Sequence, residues 1–207
     1  MLRVAVFGSF YRGYHVLHEL LNGELAARVC VVGVATDDPE QSFVSPDKRV
    51  WQYPHEAHER TMVARLAAGH GIECWSARVK TPAFYERFEQ RWRPDVVIMA
   101  TFGQKIDKRL YSFPRLGFFN LHPCKDDGWP SHYVGGNPFQ RLIDDGSDYC
   151  VIAMHHVDDG FDTGALHAFS ERIAIPACAG VVDMHKCSSP VAARLAAREL
   201  AKMIGPA

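Results

Sequence analysis

The chain has 207 residues, 47% of them apolar and 23% charged, with a formal net charge of −1 at neutral pH. That balance excludes a disordered chain, a collagen-like fibre and a coiled coil, and a chain of this size buries roughly 70% of its unfolded surface in one domain without staples. The charge lacks the basic excess of a nucleic-acid binder, so no nucleic-acid partner is expected. No apolar run approaches the roughly 20 residues of a membrane span, and Met1–Gly8 enters a strand-like run without the pattern of a signal peptide. Six cysteines (Cys30, Cys74, Cys124, Cys150, Cys178, Cys187) form no C-x-x-C pair, which predicts reduced thiols in a cytoplasmic protein.

In chain order, Val4–Phe7 reads as a buried strand ending at Gly8, and Tyr14–Leu21 has helical spacing through Val16, Leu17, Leu20 and Leu21. Val29–Ala35 is a second buried strand. Thr36–Tyr53 is the longest irregular stretch, with Pro39, Ser42 and Pro46, and reads as a surface loop or a lid. Arg60–Ala68 is a predicted helix, Ile72–Trp75 a short strand, and Pro82–Arg91 a helix with proline in its first turn. Asp95–Ala100 is the clearest buried strand. Lys108–Ser112 is a short helix, Gly117–Leu121 a strand closed by Pro123, Val151–Val157 and Ala165–Ser170 later strands, and Pro190–Met203 a closing helix. The rhythm predicts an α/β fold, a doubly wound, mostly parallel sheet whose ligands bind at the carboxyl ends of the strands.

Three segments carry candidate chemistry, each with a plain structural alternative. Gly8-Ser9-Phe10-Tyr11-Arg12-Gly13 is either a simple strand-to-helix turn or part of a substrate site, with Arg12 offered to an anionic group; it fits neither G-x-G-x-x-G nor the P-loop. Asn120-Leu121-His122 places an amide donor and an imidazole on one face of a strand end, although satisfied polar residues are common there. Asp158-Asp159-Gly160-Phe161-Asp162-Thr163-Gly164 is an acidic loop that fails the EF-hand spacing and by itself suits a solvated turn. His55 and His58, like the adjacent His155 and His156, offer no complete ligand set, so no metal is expected.

Taken together, Asp95–Gly103, Phe113–Pro123 and Val157–Gly164 resemble the 10-formyltetrahydrofolate-dependent formyltransferases in order, spacing and flanking residues. The resemblance implies that fold, a formyltransferase-like variant of the Rossmann architecture, over one catalytic domain at 1–207. It implies 10-formyltetrahydrofolate as co-substrate, and Asn120, His122 and Asp162 as the catalytic residues. By position, the pterin pocket maps to Gln104, Lys105 and Ile106 with Asp158, Asp159, Gly160 and Phe161. The acceptor side maps to Ser9, Phe10, Tyr11 and Arg12, together with the Asp126–Tyr133 loop. In that chemistry a primary amine attacks the formyl carbon. Asn120 and His122, the latter best as imidazolium, steady the oxyanion, and Asp162 supports the imidazole and helps remove the amine's proton.

Two departures shape the expectation. The segment Cys124–Gly136 is longer and more acidic than the family's usual Ser-Leu-Leu-Pro continuation, and Asn120 and Asp162 stand 42 residues apart, a few more than usual. The turn after Gly8 lacks the Gly-rich phosphate loop of the glycinamide ribonucleotide enzyme. The chain shows no counterpart of the C-terminal barrel of the methionyl-tRNA enzyme. The expected acceptor is the amine of a small molecule, with an amino-sugar nucleotide first and a modified amino acid second. A formyltetrahydrofolate hydrolase, or a folate-binding module without turnover, are the alternatives. A homodimer is compatible with all of these.

Overall fold

The computed structural model describes residues 1–45, 47 and 49–205. The elements are β1 (Leu2–Gly8), α1 (Phe10–Asn22), β2 (Val29–Ala35), α2 (Ala57–Gly69), β3 (Cys74–Trp75), α3 (Pro82–Glu86), β4 (Val96–Ala100), α4 (Lys108–Tyr111), β5 (Phe118–Cys124), α5 (Pro138–Asp144), β6 (Tyr149–His156), β7 (Leu166–Phe169), β8 (Ile173–Ala174) and α6 (Val181–Ile204). The sheet order is β3-β2-β1-β4-β5-β6-β7, with β8 paired to β6. Strands β1 to β5 run parallel, and β6 turns antiparallel to both β5 and β7. The chain winds outward from β1 through β2 to β3, then returns to the other side of β1 with β4. That reversal opens a crevice at the carboxyl ends of β1, β4 and β5.

The strands at the centre are apolar on both faces because helices cover both. On one face α1, α2, α5 and α6 pack on residues such as Val4, Val6, Val16, Leu17, Ile98 and Leu195. On the other, Phe7 meets Phe84, Phe88, Trp92, Phe102 and Phe118 edge-on, with ring centroids 5.1–6.5 Å apart. Such pairs add roughly 1 kcal/mol each beyond their buried area. Thr81 caps α3, its Oγ1 accepting from Phe84 N at 3.3 Å with Pro82 in the first turn. A π-helical turn, Arg87–Trp92, continues α3 and places Trp92 in this aromatic core.

Two expectations change. Pro123 does not close β5, which runs to Cys124. Only Phe118–Asn120 pair with β4, so beyond Asn120 the strand has one neighbour, β6, and a missing N–H on its open side breaks no ladder. Helix α6 begins at Val181 rather than at Pro190, which lies inside it. Pro190 takes the helical donor from Lys186 O, and one residue earlier Ser189 Oγ donates to His185 O at 2.5 Å. Helix α5 was not legible in the sequence: it is short, with a left-handed Asn137 before its first turn. Within Thr36–Tyr53 a 3₁₀ turn spans Val50–Gln52, while Pro46 lies outside the described residues. All six cysteines are free, and no helix among the described residues is long and apolar enough to cross a membrane.

Candidate active site

Because β4 ends at Ala100 while β5 continues, the last residues of β5 stand over open space. Asn120 and His122 share one face there, both nearly buried. Asp162 approaches from the loop after β6, in the left-handed backbone region at φ 55°, which aspartate tolerates better than most side chains. Asn120 Nδ2 donates to Asp162 Oδ1 at 2.7 Å, and His122 Nδ1 lies 3.4 Å from Asp162 Oδ2. The long Cys124–Gly136 segment returns to the same cluster. Tyr133 O accepts from His122 Nε2 at 2.6 Å, and Gly135 N donates to Asp162 Oδ2 at 2.8 Å. The atypical insertion therefore orients two of the three residues rather than displacing them.

His155 completes the cluster, and sequence reasoning missed it. It is the cross-strand partner of Asn120 in the β5–β6 register, a pairing that requires knowing that β6 is antiparallel. Its Nε2 lies 3.3 Å from Asn120 Nδ2 and 3.4 Å from Asp162 Oδ1. Its Nδ1 donates to His156 O at 2.8 Å, which fixes the ring. Trp129 covers it, with ring centroids 5.0 Å apart and Nε1 donating to Gly164 O at 2.8 Å.

The electrostatics separate the carboxylate from the imidazole. Burial pushes Asp162 upward, but the adjoining His155, the nearby His122 and the Gly135 N–H outweigh it and bring it to about 2. His122 moves down. Burial leads, and the neighbouring His155 and Arg12 add to it against the pull of Asp162 and Tyr133 O. At rest the His122 ring is thus neutral beside an ionised Asp162, and the imidazolium expected to steady the oxyanion forms only when a proton arrives during the reaction. A proton delivered to His122 still finds an acceptor at each nitrogen.

A cavity of about 860 Å³ opens on this cluster. Gln104, Lys105, Ile106, Asp158, Gly160 and Phe161 all line it with Asn120, His122 and Asp162. The two predicted loops are tied together: Lys105 Nζ donates to Asp159 O at 2.8 Å and lies 4.7 Å from the centre of the Phe161 ring. Asp159 does not line the cavity, and its carboxylate accepts from Tyr111 OH at 2.9 Å. Of the four residues assigned to the acceptor side, the structure brings only Arg12 to the cavity. Ser9 is buried and accepts from Asp37 N at 2.8 Å, Phe10 packs against Trp51 and His185, and Tyr11 OH donates to Glu59. The cause is close packing at the turn. A Cβ on Gly8 would stand 2.7 Å from Gly13 Cα and 2.8 Å from Ala100 O, so the two glycines fit each other and leave no cradle for a ligand. In the Asp126–Tyr133 loop, Asp126 pairs with Arg172 at 3.1 Å and accepts from Tyr149 OH at 2.8 Å. It is Val134–Asn137, just beyond that loop, that reaches the cavity wall.

A doubly wound sheet with an amide, an imidazole and an ionised carboxylate at its switch point defines a class of sites equipped to steady an oxyanion and move one proton. A sequence model of the formyl transferase family matches residues 2–184, and the chain belongs to that family. The methionyl-tRNA formyltransferase of Syntrophomonas wolfei subsp. wolfei is 32% identical over 116 residues, 56% of this chain and 35% of that protein. The Thermus thermophilus methionyl-tRNA formyltransferase is 35% identical over 115 residues, 55% of this chain and 36% of that one. The chain thus spans about a third of the length of these curated relatives. Among solved structures, the phosphoribosylglycinamide formyltransferase of Streptococcus pneumoniae aligns with a TM-score of 0.68 at 18% identity, covering 100% of both chains. A formyltetrahydrofolate deformylase from Pseudomonas syringae aligns at 0.70 and 19% identity, covering 98% of this chain and 61% of that one. At such identities the likeness is one of fold.

Proposed function

We propose that residues 1–207 form one catalytic domain that moves a formyl group from 10-formyltetrahydrofolate to a primary amine of a small molecule. The observation that carries this is the bonded cluster of Asn120, His122 and Asp162, opening on a cavity that the two predicted donor-binding loops also line. Arg49, Arg78, Lys80 and Lys105 line the same cavity and supply positive charge for the glutamate carboxylates of a folate.

The residues do the following in that reaction. The amine attacks the formyl carbon, and the carbonyl oxygen becomes an oxyanion; when this collapses, the bond from the formyl carbon to N10 of the folate breaks, and the proton given up by the amine passes to N10 as tetrahydrofolate leaves. Of the two Asn120 amide hydrogens, one is committed to Asp162 at 2.7 Å and the other faces His155 Nε2 at 3.3 Å. The second, more weakly held, is the one free to turn to the oxyanion. Asp162 is ionised at neutral pH and draws the amine's proton toward itself and His122, whose imidazolium it then neutralises. A preorganised donor is worth roughly 3 kcal/mol of barrier, and holding the amine against the formyl carbon adds a proximity gain.

An amino-sugar nucleotide remains one acceptor of this class; Asp126 of the acidic loop after His122 is itself spent on Arg172 and Tyr149. The test is calorimetric titration with 5-formyltetrahydrofolate, a stable analogue of the donor. Saturable binding at one site is expected, and absence of binding at millimolar ligand, with and without candidate amines, removes the proposal. Release of formate from 10-formyltetrahydrofolate without any amine would mark a hydrolase instead.

A further inference from the structure

Arg12 is a buried cation without a counter-ion. It is 3% exposed, and among the described residues no carboxylate forms an ion pair with it. Its guanidinium contacts are neutral and long: Nη1 to Thr101 Oγ1 at 3.4 Å and to Leu121 O at 3.5 Å, and Nη2 to Ser188 Oγ at 3.3 Å. Charge-assisted bonds run nearer 2.8 Å. Among the described residues its Nε has no hydrogen-bond partner, nor has Nδ1 of the neighbouring buried His185. Phe139 packs on both, its ring centre 5.4 Å from the Arg12 guanidinium carbon and 5.0 Å from the His185 ring. Arg12, Phe139 and His185 all line the cavity already described.

A charge left buried and unpaired is strongly disfavoured, so a guanidinium in this state calls for a ligand that supplies the charge. Burial pulls Arg12 down to about 10, which leaves it charged at neutral pH. Burial, reinforced by Arg12, pushes His185 well down, so its ring is neutral. The two groups together offer one cation and an imidazole capable of donating, walled by an aromatic ring. A planar carboxylate or a phosphate matches the edge of a guanidinium through two parallel bonds.

We infer that this recess binds an anionic group, carboxylate or phosphate, carried by the amine acceptor itself. This rests on the formyl-transfer reading and narrows it. Leu121 O, which Arg12 touches, belongs to the residue between Asn120 and His122. The recess therefore adjoins the Asn120–His122 strand end inside the same cavity, and an anion in it stands beside the reacting amine. The acceptor is a short amino acid or amino phosphate, or a larger molecule carrying its anion a few bonds from its amine.

The experiment titrates β-alanine, 2-aminoethyl phosphate and n-propylamine into the protein saturated with 5-formyltetrahydrofolate. At least one of the anionic amines is expected to bind tenfold or more tightly than propylamine. Arg12→Gln is expected to bring the three within about twofold while folate affinity holds. Arg12→Lys, which keeps the charge but loses the planar fork, retains part of the preference and guards against a folding defect in the first variant. Which anionic amine binds separates carboxylate from phosphate. Propylamine binding as tightly as both anionic amines overturns the inference. So does a preference that survives Arg12→Gln, or failure of both anionic amines to bind up to roughly 10 mM. If the protein takes up no folate, the formyl-transfer reading fails separately, and the same titrations on the protein alone still decide whether the recess binds anions.

Discussion

Replacing Asp162 by asparagine separates its charge from its shape. Asparagine tolerates the left-handed backbone that Asp162 adopts, so the turn survives and the charge does not. The folded protein lowers this carboxyl from its ordinary 3.8 to about 2. At about 1.4 kcal/mol for each tenfold change in proton affinity, that amounts to at most about 2 kcal/mol of folding stability at pH 7, where a neutral His122 no longer adds its charge. Asparagine also has one acceptor oxygen where Asn120 Nδ2 and Gly135 N both donate, so one buried donor loses its partner at roughly 1 kcal/mol. Urea unfolding at pH 7 should therefore place Asp162→Asn about 1 to 3 kcal/mol below the parent, with an unchanged denaturant slope. The pH dependence carries a sign. A carboxyl depressed on folding stabilises above its unfolded value, and that stabilisation is lost as pH falls through the folded value. The gap between parent and variant should thus be full above about pH 4 and shrink towards pH 2. Equal stability at pH 7, or a gap that does not shrink in acid, would refute the view that Asp162 is held ionised by its neighbours.

Asn120→Ala and His122→Ala should each lower turnover by roughly a hundredfold while folate affinity changes little, as read from steady-state kinetics and calorimetry; parental rates in either would dismiss its catalytic role. Asp162→Asn should lower turnover as well and move the pH–rate profile, whereas an unmoved profile would leave Asp162 a structural part only. Asp37 behaves oppositely to Asp162. Burial pushes it up to about 6 against hydrogen bonds from Gly103 N and Gln41. Its proton favours the fold below about pH 4, and that contribution, up to about 3 kcal/mol, is lost as pH rises through 6. Asp37→Asn should therefore gain stability relative to the parent between pH 4 and 7, and a constant difference across that range would count against it. Gly13→Ala would drive a Cβ into the Gly8 backbone and should cost about 3 kcal/mol in urea unfolding; a change within about 0.5 kcal/mol would show that the turn has slack.

The sequence determined by itself what depends on local pattern. Buried parallel strands such as β1, β2 and β4 announce themselves as short apolar runs, because helices cover both of their faces. Asn120 and His122 share a face because side chains alternate along a strand, and their motif together with Asp162 was enough to name the family. Tertiary structure alone decided what depends on partners distant in the chain. The antiparallel register of β6 puts His155 against Asn120. The return of an atypical loop sets Tyr133 O on His122 and Gly135 N on Asp162. Burial leaves His122 neutral where its chemistry suggested a cation. The turn after β1 shows the division within four residues. Ser9, Phe10 and Tyr11 look as available as Arg12 in the sequence, yet they are absorbed by Asp37, Trp51 and Glu59. Only Arg12 reaches the cavity, because a helix repeats every 3.6 residues and turns just one of these side chains toward the open end of β5.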